Sequence, residues 1–308
     1  MFNLLKSDIY RLVHGKFLWV GLAILVVYVA LAVGLVWFGT TPTFAQMVNE
    51  QTETGQAAEV GPNATFRITD GSGANLSSEE VTSLNEKVIP SRTYSYAQIL
   101  ISVGALTLLI CLIIGELLLT DFEAGFAKNI FAGRGRRWVY YAEKLVLCAV
   151  VSAVFLLIGM ALTDVGFALA GFEHRQTETL GEFWGWVVLA WLAVMMYATA
   201  TAIAVGLTRS KAVSISFVIL VSTGILASVV MTPVAALAPA LPILTDLMQW
   251  LPTSSVKLLG SGGIGLLSSV EGTAVEGLTV PAQIALVAGV VIAACTALAV
   301  AVCPRKDV

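Results

Sequence analysis

An all-α, polytopic membrane protein of six transmembrane helices, with both termini in the cytoplasm, is the fold class this sequence predicts. Three observations predict it. Hydrophobic residues make up 57% of the chain and charged residues only 12%, about half of the roughly 25% found in soluble domains. Six segments, 17–38, 95–118, 145–170, 183–208, 212–232 and 280–303, are each apolar over about the 20 residues that crossing ~30 Å of hydrocarbon requires. The basic residues are also asymmetric. With the N-terminus inside, only Arg67, Lys87, Arg92, Arg175 and Lys257 of the 17 Lys and Arg residues fall outside, and the other 12 fall in the cytoplasm. Helices are expected because each satisfies its own backbone in lipid, and no barrel-like alternation is present.

Residues 1–16 place Phe2, Leu5, Ile9, Leu12 and Val13 at helical spacing, with Lys6, Arg11 and Lys16 on other faces. This predicts an amphipathic helix in the inner interface, bending at His14-Gly15 into the first span. That span, Phe17–Phe38, exceeds the core of a signal peptide and is read as uncleaved. Residues 39–94 form the one large polar segment, an outer loop with a short helix expected near 78–88.

Spans three and four are joined by 171–182. Spans four and five are joined by a tight turn at Thr208–Lys211, which makes them antiparallel neighbours. Beyond span five, Pro233, Pro239 and Pro242 are expected to break the helix. They open a segment, 233–279, that is read as interfacial or re-entrant in the outer leaflet. Within it Gly260–Gly265 (GSGGIG) reads as a flexible break, not a phosphate loop, because no Gly-Lys-Ser/Thr follows. The four cysteines (Cys111, Cys148, Cys295, Cys303) lie in or beside spans, so no disulfide framework is implied.

Catalytic chemistry is not written into the chain. His14 and His174 are the only histidines and lie on opposite sides of the membrane, so no paired-histidine metal site is expected. No G-x-x-x-x-G-K-[ST] motif occurs, so energised work would need an ATPase on another chain. No basic stripe with interleaved aromatics supports a nucleic-acid partner. Asp164 and Glu116 are the intramembrane polar candidates, since a charge in a span is costly and often functional. Asp164 falls near the outer end of span three, where an interfacial polar residue is the plainer reading. Glu116 falls near the inner end of span two, where pairing with an Arg or Lys is expected.

The functional weight of the sequence falls on the cytoplasmic loop 116–144. It opens acidic (Glu116, Asp121, Glu123), turns at Gly125, and becomes basic (Lys128, Arg134, Arg136, Arg137, Lys144). Asp121–Ile130 can form a short amphipathic helix with Phe122, Phe126 and Ile130 four apart on one face. Such a helix parallel to the membrane is a rigid knob for a partner's groove. The plainer alternative is a basic loop held by lipid phosphates.

The stretch Thr120–Leu145 resembles the first cytoplasmic loop of ABC-2-type transporter permeases. The resemblance rests on Asp121-Phe122, Gly125, Lys128-Asn129, Arg137, Tyr140 or Tyr141, and Lys144. The amphipathic start, the six-span layout, the large first outer loop and Leu251-Pro252-Thr253 after span five are similar as well. The resemblance implies a six-span permease domain over 17–308 in a bacterial plasma membrane. Two permease copies, identical or related, would join an ABC ATPase subunit that carries ATP and Mg, this chain binding no cofactor and catalysing nothing. It also implies that Asp121, Phe122, Gly125, Phe126, Lys128, Asn129, Ile130 and Arg137 belong to the coupling helix seated on that ATPase. The cargo would be a peptide, drug or lipid-like molecule. Two other readings stand beside it: a non-transporting scaffold or sensor that docks a cytoplasmic partner, and an ion-coupled transporter using Asp164 and Glu116.

Overall fold

In the computed structural model, residues 2–41, 87–124, 137–237, 248–269, 273 and 277–302 are described. The first helix, α1 (Phe2–His14), leads through Gly15 into α2 (Lys16–Gly39). A strand β1 (Val88–Ile89) precedes α3 (Arg92–Tyr96), a π-helical segment Ala97–Ser102, and α4 (Ala105–Glu123). The long helix α5 (Arg137–Ala170) ends at β2 (Glu173–His174), and α6 (Leu180–Thr208) follows. Then come α7 (Lys211–Ser222), α8 (Ile225–Leu237), α9 (Pro252–Leu259) and α10 (Val280–Val302).

Among the described residues, five helices are long and apolar enough to cross a membrane: Lys16–Gly39, Ala105–Glu123, Val139–Ala170, Leu180–Thr208 and Val280–Ala299. The chain is thus an all-α, multi-pass membrane protein, apart from one small strand pair. The helix α6 is the central post, with α10, α4, α5 and α7 packed around it. Outer helices show one protein-facing stripe and an otherwise apolar exposed surface, as lipid contact demands. In α2, Leu25, Val29, Ala32, Val33 and Val36 are buried, while Val20, Ile24, Val27, Leu31 and Leu35 are exposed. Lipid tails are as apolar as leucine, so close packing supplies the adhesion between helices. At Gly21 a Cβ would stand 2.6 Å from Cδ1 of Ile113, so a side chain there would have to push that methyl aside where α2 approaches α4.

Three expectations are corrected. The stretch predicted as span five, 212–232, is not one helix but two, α7 and α8, interrupted at Thr223-Gly224. Ser222 and Thr223 turn their hydroxyls back onto the carbonyls of Val218 and Ile219, and Gly224 takes φ +73°. That left-handed residue ends α7. Neither half reaches the roughly 20 residues a crossing needs. Span two is interrupted as well, since Val103-Gly104 separates the π-helical segment from α4. The proline at 233, expected to stop the helix, lies inside α8, which runs on to Leu237. One lost N–H bond does not end a helix whose other turns are intact. Pro239 and Pro242 lie outside the described residues, as do 42–86, where the loop helix near 78–88 was expected.

The opposite end from α1 is tied together more than the sequence suggests. Val88–Ile89 pairs in parallel with Glu173–His174, joining the approaches to α3 and α6. A capping box starts α6: the Thr179 hydroxyl accepts from the Glu182 amide, and Glu182 accepts from the Thr179 amide. The glycine segment 260–265 is no loose break. The amide of Gly263 donates to Thr93 Oγ1 at 2.6 Å and that of Gly265 to Glu182 Oε1 at 3.1 Å, while Trp186 Nε1 donates to the Leu259 carbonyl at 3.1 Å. These bonds seat the end of α9 on α3 and α6. The tight turn at Thr208–Lys211 is as expected, with Arg209 at φ +49° between α6 and α7.

Candidate functional site

At the α1 end of the bundle, three separate stretches bring charges together inside the protein. Asp8 and Arg11 come from α1, Asp121 from the last turn of α4, and Tyr140, Glu143 and Lys144 from the first turns of α5. Lys144 is at the centre. Its Nζ lies 2.7 Å from Asp121 Oδ2 and 3.6 Å from Glu143 Oε2, and it also pairs with Asp8. The Arg11 guanidinium reaches Asp121 Oδ1 at 2.5 Å and Asp8 Oδ1 at 3.5 Å. Tyr140 donates its hydroxyl to Asp121 Oδ2 at 3.2 Å, and the Lys144 ammonium stands 4.9 Å from the Tyr140 ring centroid.

Asp121 and Glu143 are 0% exposed and Lys144 3%, so these are charges held away from solvent. An unpaired buried charge is very costly, and mutual pairing is what makes such a group tolerable. Burial disfavours the charge of Arg11, but the hydrogen bond and charge of Asp121, with Asp8 behind them, hold its pKa above the ordinary arginine value. Three carboxylates face two cations, and neither oxygen of Glu143 makes a hydrogen bond.

Asp121, expected to open a coupling helix, lies in the last turns of α4 and is paired inside the protein. The sequence suggests a separate helix starting at Asp121, but α4 runs unbroken from Ala105 through Glu123. Arg11 and Lys144 neutralise the acid in its last turns. Asp121 sits inside, facing α1 and α5. Phe122 is partly buried against the core, with the Arg209 guanidinium 5.4 Å from its ring centroid. Gly125, Phe126, Lys128, Asn129 and Ile130 lie outside the described residues. Arg137 is the first residue of α5.

The two intramembrane acids are both partnered and lie apart from this cluster. Glu116 accepts from Lys211 Nζ at 3.2 Å, the pairing expected of it, which ties α4 to α7. Asp164 pairs with Arg92 and accepts from the Tyr96 hydroxyl at 2.5 Å, which ties α5 to α3. Both Arg92 and Asp164 are partly exposed, so Asp164→Asn should lower stability by at most about 1 kcal/mol. A melting curve in detergent checks this, and a larger loss would make the pair a structural anchor.

Asp8, Arg11 and Glu143 were not singled out from sequence. One signal was available: Asp8 falls on the Leu5–Leu12 stripe of α1, where an acid is out of place in an apolar face. The structure buries Leu12 and Asp8, packs Leu5 against the core and leaves Ile9, Tyr10 and Val13 exposed, so the protein-facing side of α1 is the Leu5–Leu12 stripe with Asp8 set into it. Among the described residues no group of His, Cys, Asp and Glu side chains suits a metal ion. Compared with known proteins, the chain matches no family model, no curated sequence and no solved structure at a significant level.

Proposed function

We propose that this chain is the membrane subunit of an ABC-2-type transporter, exporting a peptide, drug or lipid-like cargo on ATP hydrolysed by a separate subunit. Its loop 116–144 lies in the cytoplasm and meets that ATPase, six crossings, the five long helices and the interrupted pair α7–α8 together making the sixth, return the C-terminus to the same side, and a second permease copy completes the channel. A bacterial plasma membrane is the setting that the resemblance implies. The observation that carries the reading is the buried ionic node at the root of the loop. It locks the residue entering the loop, Asp121, to the helix leaving it, at Lys144, and to α1 through Asp8 and Arg11.

A contact on the loop can move the transmembrane part only if force reaches the helices. A loop with slack roots would absorb a push, whereas this one has both ends joined within a few residues of the bundle. A displacement at 125–136 is then passed to α4 and α5 together, and α1 must follow. Packed elements shift as units rather than deforming continuously. The chain itself supplies no reacting group; ATP and Mg belong to the partner.

Phe126→Asp and Ile130→Asp, each made singly, test the contact. Each places a charge on the face proposed to enter the ATPase groove, where an unpaired buried charge costs several kcal/mol. The expected result is loss of the ATPase from a detergent pull-down, by about 100-fold for ~3 kcal/mol, with membrane levels of the chain unchanged. Wild-type recovery of the ATPase by both variants would end the coupling assignment.

A further inference from the structure

The ionic node at the root of the loop does not balance. Lys144 and Arg11 are its cations, and Asp8, Asp121 and Glu143 are its acids. Among the described residues no third cation lies within ion-pair distance of any of these acids. With every group ionised, the node would carry one surplus negative charge, and each of its acids is at most 1% exposed. A charge left over in such a place is very costly, and the usual outcome is that the group takes up a proton instead.

The partners show where the surplus falls. Asp121 is engaged on both oxygens, Oδ1 by Arg11 and Oδ2 by Lys144 and Tyr140. Asp8 gives Oδ2 to Lys144, but its Oδ1 makes no hydrogen bond. Glu143 is served worst. Its one cation is Lys144 at 3.6 Å, and neither of its oxygens is hydrogen-bonded. The Glu143 and Asp8 carboxyls lie within hydrogen-bonding reach of one another. Two ionised carboxylates only accept, so as a charged pair they repel and stay unbonded; one proton supplies the missing donor.

We infer that Asp8 and Glu143 bind one exchangeable proton between them, and that this proton latches α1 onto α5. With it in place the node is neutral, two carboxylates against two cations, and Glu143 donates to Asp8 across the α1–α5 contact. When the proton leaves for bulk water, that bond is replaced by repulsion between two buried anions. Glu143 is fixed in the long helix α5, so relief comes from α1 swinging Asp8 outward. The site does not depend on the transport reading, because it needs no ATPase.

Few other groups face the pair. On α1 it is Arg11, since Lys6, Tyr10 and His14 are exposed. On α4 it is Asp121, with Glu116 turned to Lys211 and Glu123 exposed. On α5, besides Lys144, there are Tyr140, which donates to Asp121, Tyr141 beside it, and Cys148 a turn beyond Lys144. The helix α10 has no charged residue and brings Cys295 against the tyrosines. The only charged side chain of α6 is Glu182, in its first turn, that of α2 is the exposed Lys16, and Arg92 of α3 is held by Asp164.

The test uses the full chain in nanodiscs, with Glu143→Gln and Asp8→Asn as variants. Infrared difference spectra are taken on stepping the buffer from about pH 6 to about pH 9, above the range where an ordinary carboxyl titrates. Wild type should lose the carbonyl band of a protonated carboxyl. Neither variant should show that loss, because removing either acid balances the node without a proton. Amide hydrogen exchange over Phe2–His14, corrected for its intrinsic rate, should quicken at least about tenfold with the same step in wild type and stay level in Glu143→Gln. Asp8→Asn carries the infrared comparison alone where Glu143→Gln does not fold. No such band in wild type, a band lost equally in either variant, or exchange of α1 in wild type that ignores the step would overturn the inference.

Discussion

Replacing Lys144 with methionine is expected to destabilise the protein by about 3–5 kcal/mol, the usual cost of removing one partner from a buried ionic group. The substitution keeps the length and apolar stem of the side chain and deletes the charge. Asp8, Asp121 and Glu143 would then share Arg11 alone, and Asp8 and Asp121 would each lose a close contact with the ammonium. Thermal unfolding in detergent should show a midpoint lowered by roughly 5–8 °C. The double variant Lys144→Met/Asp8→Asn removes one charge of each sign and should recover most of the loss. A single variant that melts within a degree of wild type would mean that the node is ornamental, and would take with it the force-bearing role given to it above.

Replacing Gly104 with valine should cost about 3 kcal/mol or more, through two separable effects. A side chain at φ +73° carries a strain of about 1–2 kcal/mol. The Cβ also meets the Ser222 carbonyl, a backbone atom that can yield only if α4 and α7 part. Gly224 supplies the internal control. It has the same φ, but a Cβ there meets nothing within 4 Å, so Gly224→Ala should show the strain alone, about 1 kcal/mol. Comparing the two melting curves separates strain from contact. Equal losses would mean that the helix breaks are not pressed together.

The helical membrane architecture was legible because lipid imposes it: long apolar runs must be helices, and 16–39, 139–170, 180–208 and 280–299 were close to the predicted spans. The interruptions in spans two and five were not legible. Hydropathy is blind to φ, and Val103-Gly104 and Thr223-Gly224 are apolar or small enough to continue a hydrophobic run. The pinning of 260–265 was missed for a related reason, since glycines that read as slack can equally allow close approach and backbone hydrogen bonding. At the candidate site, the pairing of Glu116 was readable, and it found the lysine partner expected of it. The role of Asp121 was not, because its partners Arg11 and Lys144 lie 110 and 23 residues away in sequence, and only the folded chain shows that they meet.

What accompanies the chain out of the membrane tests the transporter reading most directly. Affinity purification of the tagged protein in mild detergent, followed by mass spectrometry, should recover a Walker-motif ATPase in stoichiometric amount. That yield should fall when Phe126 or Ile130 is replaced by aspartate. A folded, complete preparation that carries no such ATPase would contradict the transporter reading and leave a membrane scaffold or an ion-coupled transporter in its place.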